Sequence, residues 1–424
     1  MAVIFNRVEW MRGSNIYEVN TRQYTAEGTF NAFGKHLPRL KDMGVKILWL
    51  MPITPISLEK RQGDLGSYYA CSSYTDINPE YGTLADFKLL VQEAHKHDMK
   101  LIIDWVANHT GWDHHWTKEH PDWYLKDEQG NFIELNGWED VIDLDYSSSA
   151  MRTEMIAAMQ YWVKECNIDG FRCDMAHLVP LDFWITARTQ CDASKQLFWL
   201  AECDVMEYHD VFDVSYAWEW MHITENMVKK SYPLQRKRDV LLKYSQYPKG
   251  ANKLFFTSNH DENSWNGTEY EKYGDAAKTL AVFTCTWPGM PLVYSGQELP
   301  NLKRLKFFEK DQIEWQPQNL LHDFYKTLFE LLYNNTALHN HAEIFTLGTG
   351  SDDKVLAYLL INKNDKVLVL LNFSAADRVH CVIKHDSLAG NYYHLFSGIQ
   401  YTLGAIETFE LQACQYLVYA TRIN

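Results

Sequence analysis

Residues 170–177 read Gly-Phe-Arg-Cys-Asp-Met-Ala-His and place Asp174 at the end of a short apolar run. Three further apolar runs are followed by an acid in the same way: 101–103 by Asp104, 198–201 by Glu202, and 254–256 by Asp261. Apolar runs of this length are typical of buried parallel strands. Four strands that carry acids to the same end predict the upper face of a (β/α)8 barrel.

The rest of the chain favours the same fold because apolar runs alternate with helical periods. Further strands are predicted at 15–19, 45–50, near 211–216 and at 291–294, with Asn259 as the end of the seventh strand. Helices are predicted through 33–43 with Gly44 as the C-cap, after a capping box at Thr83 and Asp86, from about Ser149 to Cys166, and near 320–333. The predicted fold class is therefore α/β, an eight-stranded TIM barrel.

Two segments depart from the barrel pattern. Residues 110–141 are rich in Trp, His and Asp and show no helical period, and such long excursions at the top of a barrel are usually functional. Short alternating runs near the C-terminus, such as 367–371 and 414–419, predict an antiparallel β-sandwich. The predicted domains are the barrel at 1–109 and 142–338, the excursion at 110–141, and the C-terminal β domain at 339–424.

The composition narrows the range of partners. The chain has 424 residues, a net charge of −15 at pH 7, 46% apolar and 22% charged residues. The acidic balance argues against nucleic acid or an anionic membrane surface as a partner, and it is compatible with a neutral polymer. Most of the 15 Trp and 25 Tyr are expected in the core and the rim of the barrel, and the others could stack on the apolar faces of sugar rings. The sequence does not indicate an oligomeric state.

The cysteines and the N-terminus indicate the cellular compartment in which the protein is expected. The eight cysteines include no Cys-x-x-Cys pair and are expected to be buried thiols. The N-terminus lacks a basic region followed by a long apolar stretch, and no apolar run approaches 18 residues. These features predict a soluble, cytoplasmic protein.

The acids at the strand ends suit the cleavage of a glycosidic bond. That reaction passes through an oxocarbenium-like transition state and needs a carboxylate at the anomeric carbon and a protonated carboxyl at the leaving oxygen. Asp174 and Glu202 lie on consecutive strands, so their side chains can face each other. Arg172 points to the same side of its strand as Asp174, where we expect it to keep that carboxylate ionised.

With these motifs in order, the chain resembles the α-amylase family of glycoside hydrolases over nearly its whole length. The four motifs are Asp104-Trp105-Val106-Ala107-Asn108-His109, the 170–177 stretch, Leu200-Ala201-Glu202, and Ser258-Asn259-His260-Asp261. The resemblance implies that Asp174 is the nucleophile and Glu202 the general acid/base. It implies that Asp261 grips hydroxyls of the sugar undergoing cleavage.

The same resemblance implies a set of substrate-binding residues. His109 and His260 would bind that sugar, and Tyr69 would stack beneath its ring, with Tyr68 as the competing choice. The set is completed by Asp104, Arg172 and His177.

The resemblance also suggests a calcium site, although no cofactor is expected to be required. Calcium binds six to eight oxygens from carboxylates and carbonyls. Asn108 and Asp143 match two of the family's ligands. The carbonyl expected four residues after the nucleophile belongs to Leu178 here, and the family's histidine is one position early, at His177. The alternative is a metal-free hydrogen bond between Asn108 and Asp143 that ties the excursion to the barrel.

The resemblance implies hydrolysis of α-1,4-glucosidic bonds in starch or maltooligosaccharides, with retention, by a double displacement. Alternatives with the same chemistry are an α-glucosidase, a cyclomaltodextrinase or maltogenic enzyme, and a glucan transferase. A non-catalytic relative is disfavoured because all three acids and Arg172 are present. The implied partner is an α-glucan or maltooligosaccharide.

Overall fold

The computed structural model describes residues 5–230, 235–248, 250–339, 342–375 and 378–423. Its strands up to residue 294 are β1 (Ile16–Val19), β2 (Ile47–Leu50), β3 (Lys100–Trp105), β4 (His109–Gly111), β5 (Val141–Asp143), β6 (Gly170–Cys173), β7 (Phe198–Ala201), β8 (Val214–Tyr216), β9 (Asn252–Phe255) and β10 (Met290–Tyr294). Eight of these strands form a closed barrel in the order β1-β10-β9-β8-β7-β6-β3-β2. The predicted (β/α)8 barrel is confirmed.

The register of the parallel strands brings the predicted site residues to one edge. Asp104 of β3 is aligned with Arg172 of β6, and Cys173 of β6 is aligned with Ala201 of β7. Asp174 and Glu202 each follow directly after these aligned residues. Parallel strands place their carboxyl ends on the same face of a barrel, so this register brings Asp174 and Glu202 to neighbouring positions on that face.

The helices are α1 (Thr21–Tyr24), α2 (Phe30–Gly34), α3 (Leu37–Met43), α4 (Leu84–Lys96), α5 (Trp116–Glu119), α6 (Ser149–Cys166), α7 (Leu181–Cys191), α8 (Trp218–Lys230), α9 (Gln235–Ser245), α10 (Glu269–Tyr273), α11 (Ala277–Thr286) and α12 (His322–Asn334). Gly44 closes α3 with a left-handed φ of 89°. The side chains and amides of Thr83 and Asp86 form the predicted capping box of α4. The predicted helix through 33–43 is broken in two, because Pro38 has no amide hydrogen to donate to the preceding turn and instead lies in the first turn of a new helix that begins at Leu37.

One other prediction along the chain needs correction. β9 ends at Phe255, so Asn259 lies beyond the strand rather than at its end. Its side chain accepts a hydrogen bond from the amide of Glu262 at 2.8 Å, which starts a π-helical turn at Glu262–Asn266. The excursion begins in β4 and ends in β5, which pair antiparallel with each other, and it contains the helix α5, which is too short to show a helical period in the sequence.

The C-terminal strands are β11 (Glu343–Leu347), β12 (Val355–Asn362), β13 (Asp365–Asn372), β14 (Val379–Lys384), β15 (Gly390–His394), β16 (Gln400–Leu403), β17 (Ile406–Leu411) and β18 (Tyr416–Ala420). Six of them form a sheet in the order β11-β12-β13-β18-β15-β16, and β14 pairs with β17. Side chains of the two sheets, among them Leu370 and Cys381, share one buried core. The antiparallel C-terminal domain is therefore confirmed.

The contacts of the chain divide it into two compact units. The first comprises Met1–Glu9, Tyr17–Tyr216 and Leu305–Glu314, and the second comprises Trp10–Ile16, Ala217–Arg304 and Trp315–Asn424. Seven of the eight cysteines are buried and Cys414 is half-buried. Within the described ranges, no helix combines the length and the apolar character that crossing a bilayer requires.

Candidate active site

Arg172 is fully buried at the end of β6 and contacts three carboxylates. Its Nη1 donates to Oδ1 of Asp104 at 3.0 Å and to Oδ1 of Asp174 at 2.9 Å. Its Nη2 lies 2.9 Å from Oε2 of Glu202. Burial acts to lower the pKa of Arg172, but Asp104 and Glu202 outweigh that effect and hold the pKa well above its ordinary value. The guanidinium is therefore a permanent cation that joins acids from β3, β6 and β7.

The predicted contact between Arg172 and Asp174 is thus present, but the arginine has more partners than the sequence suggested. Its Nε also donates to the hydroxyl of Tyr216 at 3.2 Å, at the end of β8. The guanidinium carbon lies 4.8 Å from the centre of the Trp49 ring. Neither residue had been predicted, because each is buried and reads in the sequence as ordinary barrel packing.

A backbone group links the two central acids. Met175 has φ 40° and ψ 45°, in the left-handed region, and its amide donates to Oε2 of Glu202 at 2.9 Å. A left-handed conformation costs a residue other than glycine about 1–3 kcal/mol, and such strain clusters at functional sites. The peptide that follows Asp174 therefore orients Glu202. Sequence reasoning missed this contact because a backbone amide leaves no signal in the residue type.

Asp104 fixes the position of Tyr69. Its Oδ2 accepts from the Tyr69 hydroxyl at 3.0 Å and from Nε1 of Trp49 at 3.3 Å. Tyr69 is half-buried, whereas Tyr68 is fully buried with its ring beneath Arg22 at 4.3 Å. Of the two tyrosines, Tyr69 is the one with exposed surface for a ligand.

His109 lies in β4 and is buried. Burial lowers its pKa to about 4, so the imidazole is neutral at neutral pH and can both donate and accept a hydrogen bond. Trp138 of the excursion packs edge-to-face against this ring, with centroids 5.3 Å apart. His177 lies in a 3-10 turn at Ala176–Leu178, with an exposed side chain.

His260 and Asp261 belong to the second unit and follow β9. Nε2 of the buried His260 lies 3.2 Å from Oδ2 of Asp261, whose side chain is 36% exposed. Asp261 immediately precedes the π-helical turn, a type of turn that is frequent at functional sites. In the same turn, Oε2 of Glu262 pairs with Nζ of the buried Lys272 at 2.6 Å. This buried ion pair anchors the turn that carries Asp261.

Asn108 and Asp143 are hydrogen-bonded to each other. Nδ2 of Asn108 donates to Oδ1 of Asp143 at 3.1 Å, and the amide of Leu135 donates to Oδ2 at 3.0 Å. Burial raises the pKa of Asp143 to about 6. Both residues, together with Leu178, line a cavity of about 420 Å³. Among the residues that the structure describes, there is no group of three or more His, Cys, Asp or Glu side chains that could hold a metal ion.

Comparisons with known proteins agree with the observed fold. The family model described as "Alpha amylase, catalytic domain" matches residues 12–133 and 119–337. The solved structure of a noncanonic maltogenic α-amylase, AmyB from Thermotoga neapolitana, has a TM-score of 0.89 and 29% identity, covering 97% of this chain and 99% of that one. An α-amylase from Lactobacillus plantarum has a TM-score of 0.87 and 28% identity, covering 97% and 100%.

A curated relative, α-amylase MalA of Haloarcula japonica, is 26% identical over 393 residues, which are 86% of this chain and 56% of the relative. The chain thus spans little more than half the length of that relative. The family match and the solved structures of similar fold define a barrel enzyme of the glycoside hydrolase class. Within that class, the chain belongs to the α-amylase family.

Proposed function

We propose that the protein hydrolyses α-1,4-glucosidic bonds of starch and maltooligosaccharides with retention of anomeric configuration. The contact of one guanidinium, Arg172, with both Asp174 and Glu202 supports this proposal most strongly. It brings together the two carboxyl groups that a double displacement requires, and it favours the anionic form of the nucleophile.

In the first step, a carboxylate oxygen of Asp174 attacks the anomeric carbon while the bond to the leaving oxygen breaks. Glu202 gives its proton to that oxygen, and the sugar becomes bound to Asp174 as an ester. In the second step, Glu202 takes a proton from water as the water oxygen attacks the anomeric carbon and the ester bond breaks. The amide of Met175 and the guanidinium of Arg172 hold Glu202 in place for both steps.

The roles of the other residues follow from the family resemblance. We assign Asp261, His109 and His260 to the hydroxyls of the sugar undergoing cleavage. Tyr69 stacks beneath its ring, because its hydroxyl is fixed by Asp104 and its ring is accessible. His177 lies at the exposed turn after the nucleophile, where it could contact a bound chain.

A maltogenic enzyme is the second candidate, because AmyB, a structural relative of 0.89 TM-score, carries that name. The two candidates, and an α-glucosidase or a glucan transferase, differ in their products rather than in their chemistry.

The product pattern tests the proposal. Starch, maltotriose, a cyclodextrin and pullulan are each incubated with the protein, and the products are followed by chromatography while starch viscosity is recorded. We expect viscosity to fall early and kcat/KM to rise from maltose to maltotetraose, because contacts with remote sugars can be used in the transition state. Maltose as the main early product would favour the maltogenic candidate. Glucose as the sole early product, without a fall in viscosity, would contradict cleavage within the chain.

A second test concerns the Asn108–Asp143 pair, which we propose acts as a metal-free tie between the excursion and the barrel. Because both oxygens of Asp143 already accept hydrogen bonds, the melting temperature should not change when a chelator is added. Asn108→Ala should lower stability by about 1–3 kcal/mol, since it removes a donor to a buried acid. Asn31→Ala, which removes an amide donor from the exposed Asp86, is the matched control. A melting temperature that falls with chelator and recovers with calcium would instead assign a calcium site to this pair.

A further inference from the structure

Phe307 lies beside Tyr69 in the first unit. The planes of the two rings differ by 13°, and their centroids are 6.3 Å apart. Rings that stack fully face to face would be separated by about 3.5–4 Å, the contact distance between carbon atoms. The two rings are therefore nearly parallel without the direct face-to-face contact of a full stack, and each lies beside a second aromatic ring.

The backbone on both sides of Phe307 is fixed by one buried glutamine. Nε2 of Gln23 donates to the carbonyl oxygens of Lys306 at 3.0 Å and of Glu309 at 2.7 Å. Its Oε1 accepts from the amide of Asp311 at 2.6 Å. A buried amide that satisfies three backbone groups of one segment holds that segment in a single conformation.

The loop after β2 packs closely against the same segment. The amide of Leu65 donates to the carbonyl of Phe308 at 2.9 Å. Gly63 has φ 59°, and a Cβ there would lie 2.5 Å from Cβ of Phe308. Glycine is therefore required at this position, and the close approach joins the Phe307 segment to the loop that carries Tyr69.

Neighbouring rings fix the plane of Phe307. Tyr68 contacts it at 87° with centroids 5.2 Å apart, and Phe308 contacts it at 82° with centroids 5.1 Å apart. Edge-to-face contacts of this kind are favourable and directional. They set the orientation that makes Phe307 parallel to Tyr69, and the half-buried ring keeps part of its surface exposed.

We propose that Phe307 is a second sugar-stacking ring, which binds the glucose unit next to the one above Tyr69 and sets the preference for chain length. The inference rests on the proposed function. An α-glucan presents consecutive rings with apolar faces, and two parallel aromatic rings side by side match two consecutive sugars.

The position of Phe307 indicates which neighbouring sugar it binds. Glu202 follows β7 and stands on the side of the leaving group. Gln23 and Leu65, which hold the Phe307 segment, follow β1 and β2, and β2 is separated from β7 by β3 and β6 in the barrel. Phe307 therefore lies away from the leaving group, next to the sugar on the non-reducing side.

Two substrates with the same activated aryl leaving group separate this role from a structural one. An aryl α-glucoside occupies only the sugar position above Tyr69, whereas an aryl α-maltotrioside also reaches Phe307. For Phe307→Ala we expect kcat/KM on the maltotrioside to fall about tenfold, in keeping with the loss of one aromatic stacking contact. The kcat/KM of Phe307→Ala on the glucoside should change by less than about twofold. Phe307→Tyr should restore the ratio of kcat/KM on the maltotrioside to kcat/KM on the glucoside, because it keeps the ring.

Phe345→Ala removes another half-buried phenylalanine, in β11 of the second unit, and should leave the ratio unchanged. Titration calorimetry with maltotriose gives a second measurement, in which every protein also carries Asp174→Asn. We expect Phe307→Ala to weaken the binding of maltotriose about tenfold and Phe307→Tyr to leave its Kd unchanged. Equal losses on both substrates, or an unchanged ratio and Kd, would overturn the inference and leave the proposed function intact. If the unmodified protein cleaved neither substrate, both the inference and the proposed function would be overturned.

Discussion

Replacing Asp174 with asparagine is expected to abolish starch hydrolysis. Loss of a residue that forms the covalent intermediate lowers kcat by about four to six orders of magnitude, as with catalytic residues that act as a unit. Asparagine has nearly the same shape and can still accept a hydrogen bond from Arg172, so the barrel should fold normally. The measurement is the rate of reducing-sugar release from starch, with a melting curve to show that the fold is intact.

The same carboxylate determines the stereochemistry. We expect NMR to show an α-anomer as the first product, and mass spectrometry with a slowly released fluorinated glycosyl donor to show an adduct that is absent from Asp174→Asn. Asp182→Asn, which alters an exposed aspartate paired with Arg152, is the matched control and should keep both activity and adduct. A β-anomer as the first product would show that the enzyme inverts and would remove Asp174 from the role of nucleophile.

Replacing Glu202 with glutamine is expected to separate substrates by the quality of their leaving group. General acid catalysis contributes about 10²- to 10⁴-fold, and a sugar leaving group needs that proton far more than an activated phenol does. Hydrolysis of starch should therefore fall by about three orders of magnitude. Release of the phenol from an activated aryl glycoside should survive as an initial burst, because its first step does not depend on protonation.

The structure makes this variant a clean test. The side-chain oxygen of a glutamine can still accept the hydrogen bond from the amide of Met175 and remain near Arg172. Glu207→Gln, at an exposed position after β7, is the matched control and should behave like the unmodified protein. If Glu202→Gln cleaved starch at the full rate, another group would have to supply the proton.

The strand-end acids could be predicted because apolar runs mark buried strands and parallel strands end on one face. The pairing of Arg172 with Asp174 could be predicted because side chains two residues apart on a strand point to the same side. The contacts of Arg172 with Asp104 and Glu202 depend on the register between strands, which the sequence of one chain does not specify.

Other features lay outside the reach of sequence patterns for different reasons. The amide of Met175 acts through backbone conformation, and Phe307 approaches Tyr69 only because the chain brings together residues far apart in sequence. Asn259 was misplaced because an apolar run locates a strand better than it locates the residue at which the strand ends. The roles assigned to the site residues, including His177 and Asp261, remain predictions from the family resemblance.

The left-handed conformation of Met175 has a consequence for engineering heat tolerance. Glycine adopts this conformation freely, and the strain it would relieve, about 1–3 kcal/mol, exceeds the entropy of about 0.5–1 kcal/mol that glycine loses on folding. A laboratory selection for survival at high temperature would therefore favour glycine at position 175 if this gain also exceeds the packing lost with the half-buried methionine side chain. The same substitution would loosen the peptide that orients Glu202, so a gain in thermal stability at this position would be accompanied by a loss of catalytic activity.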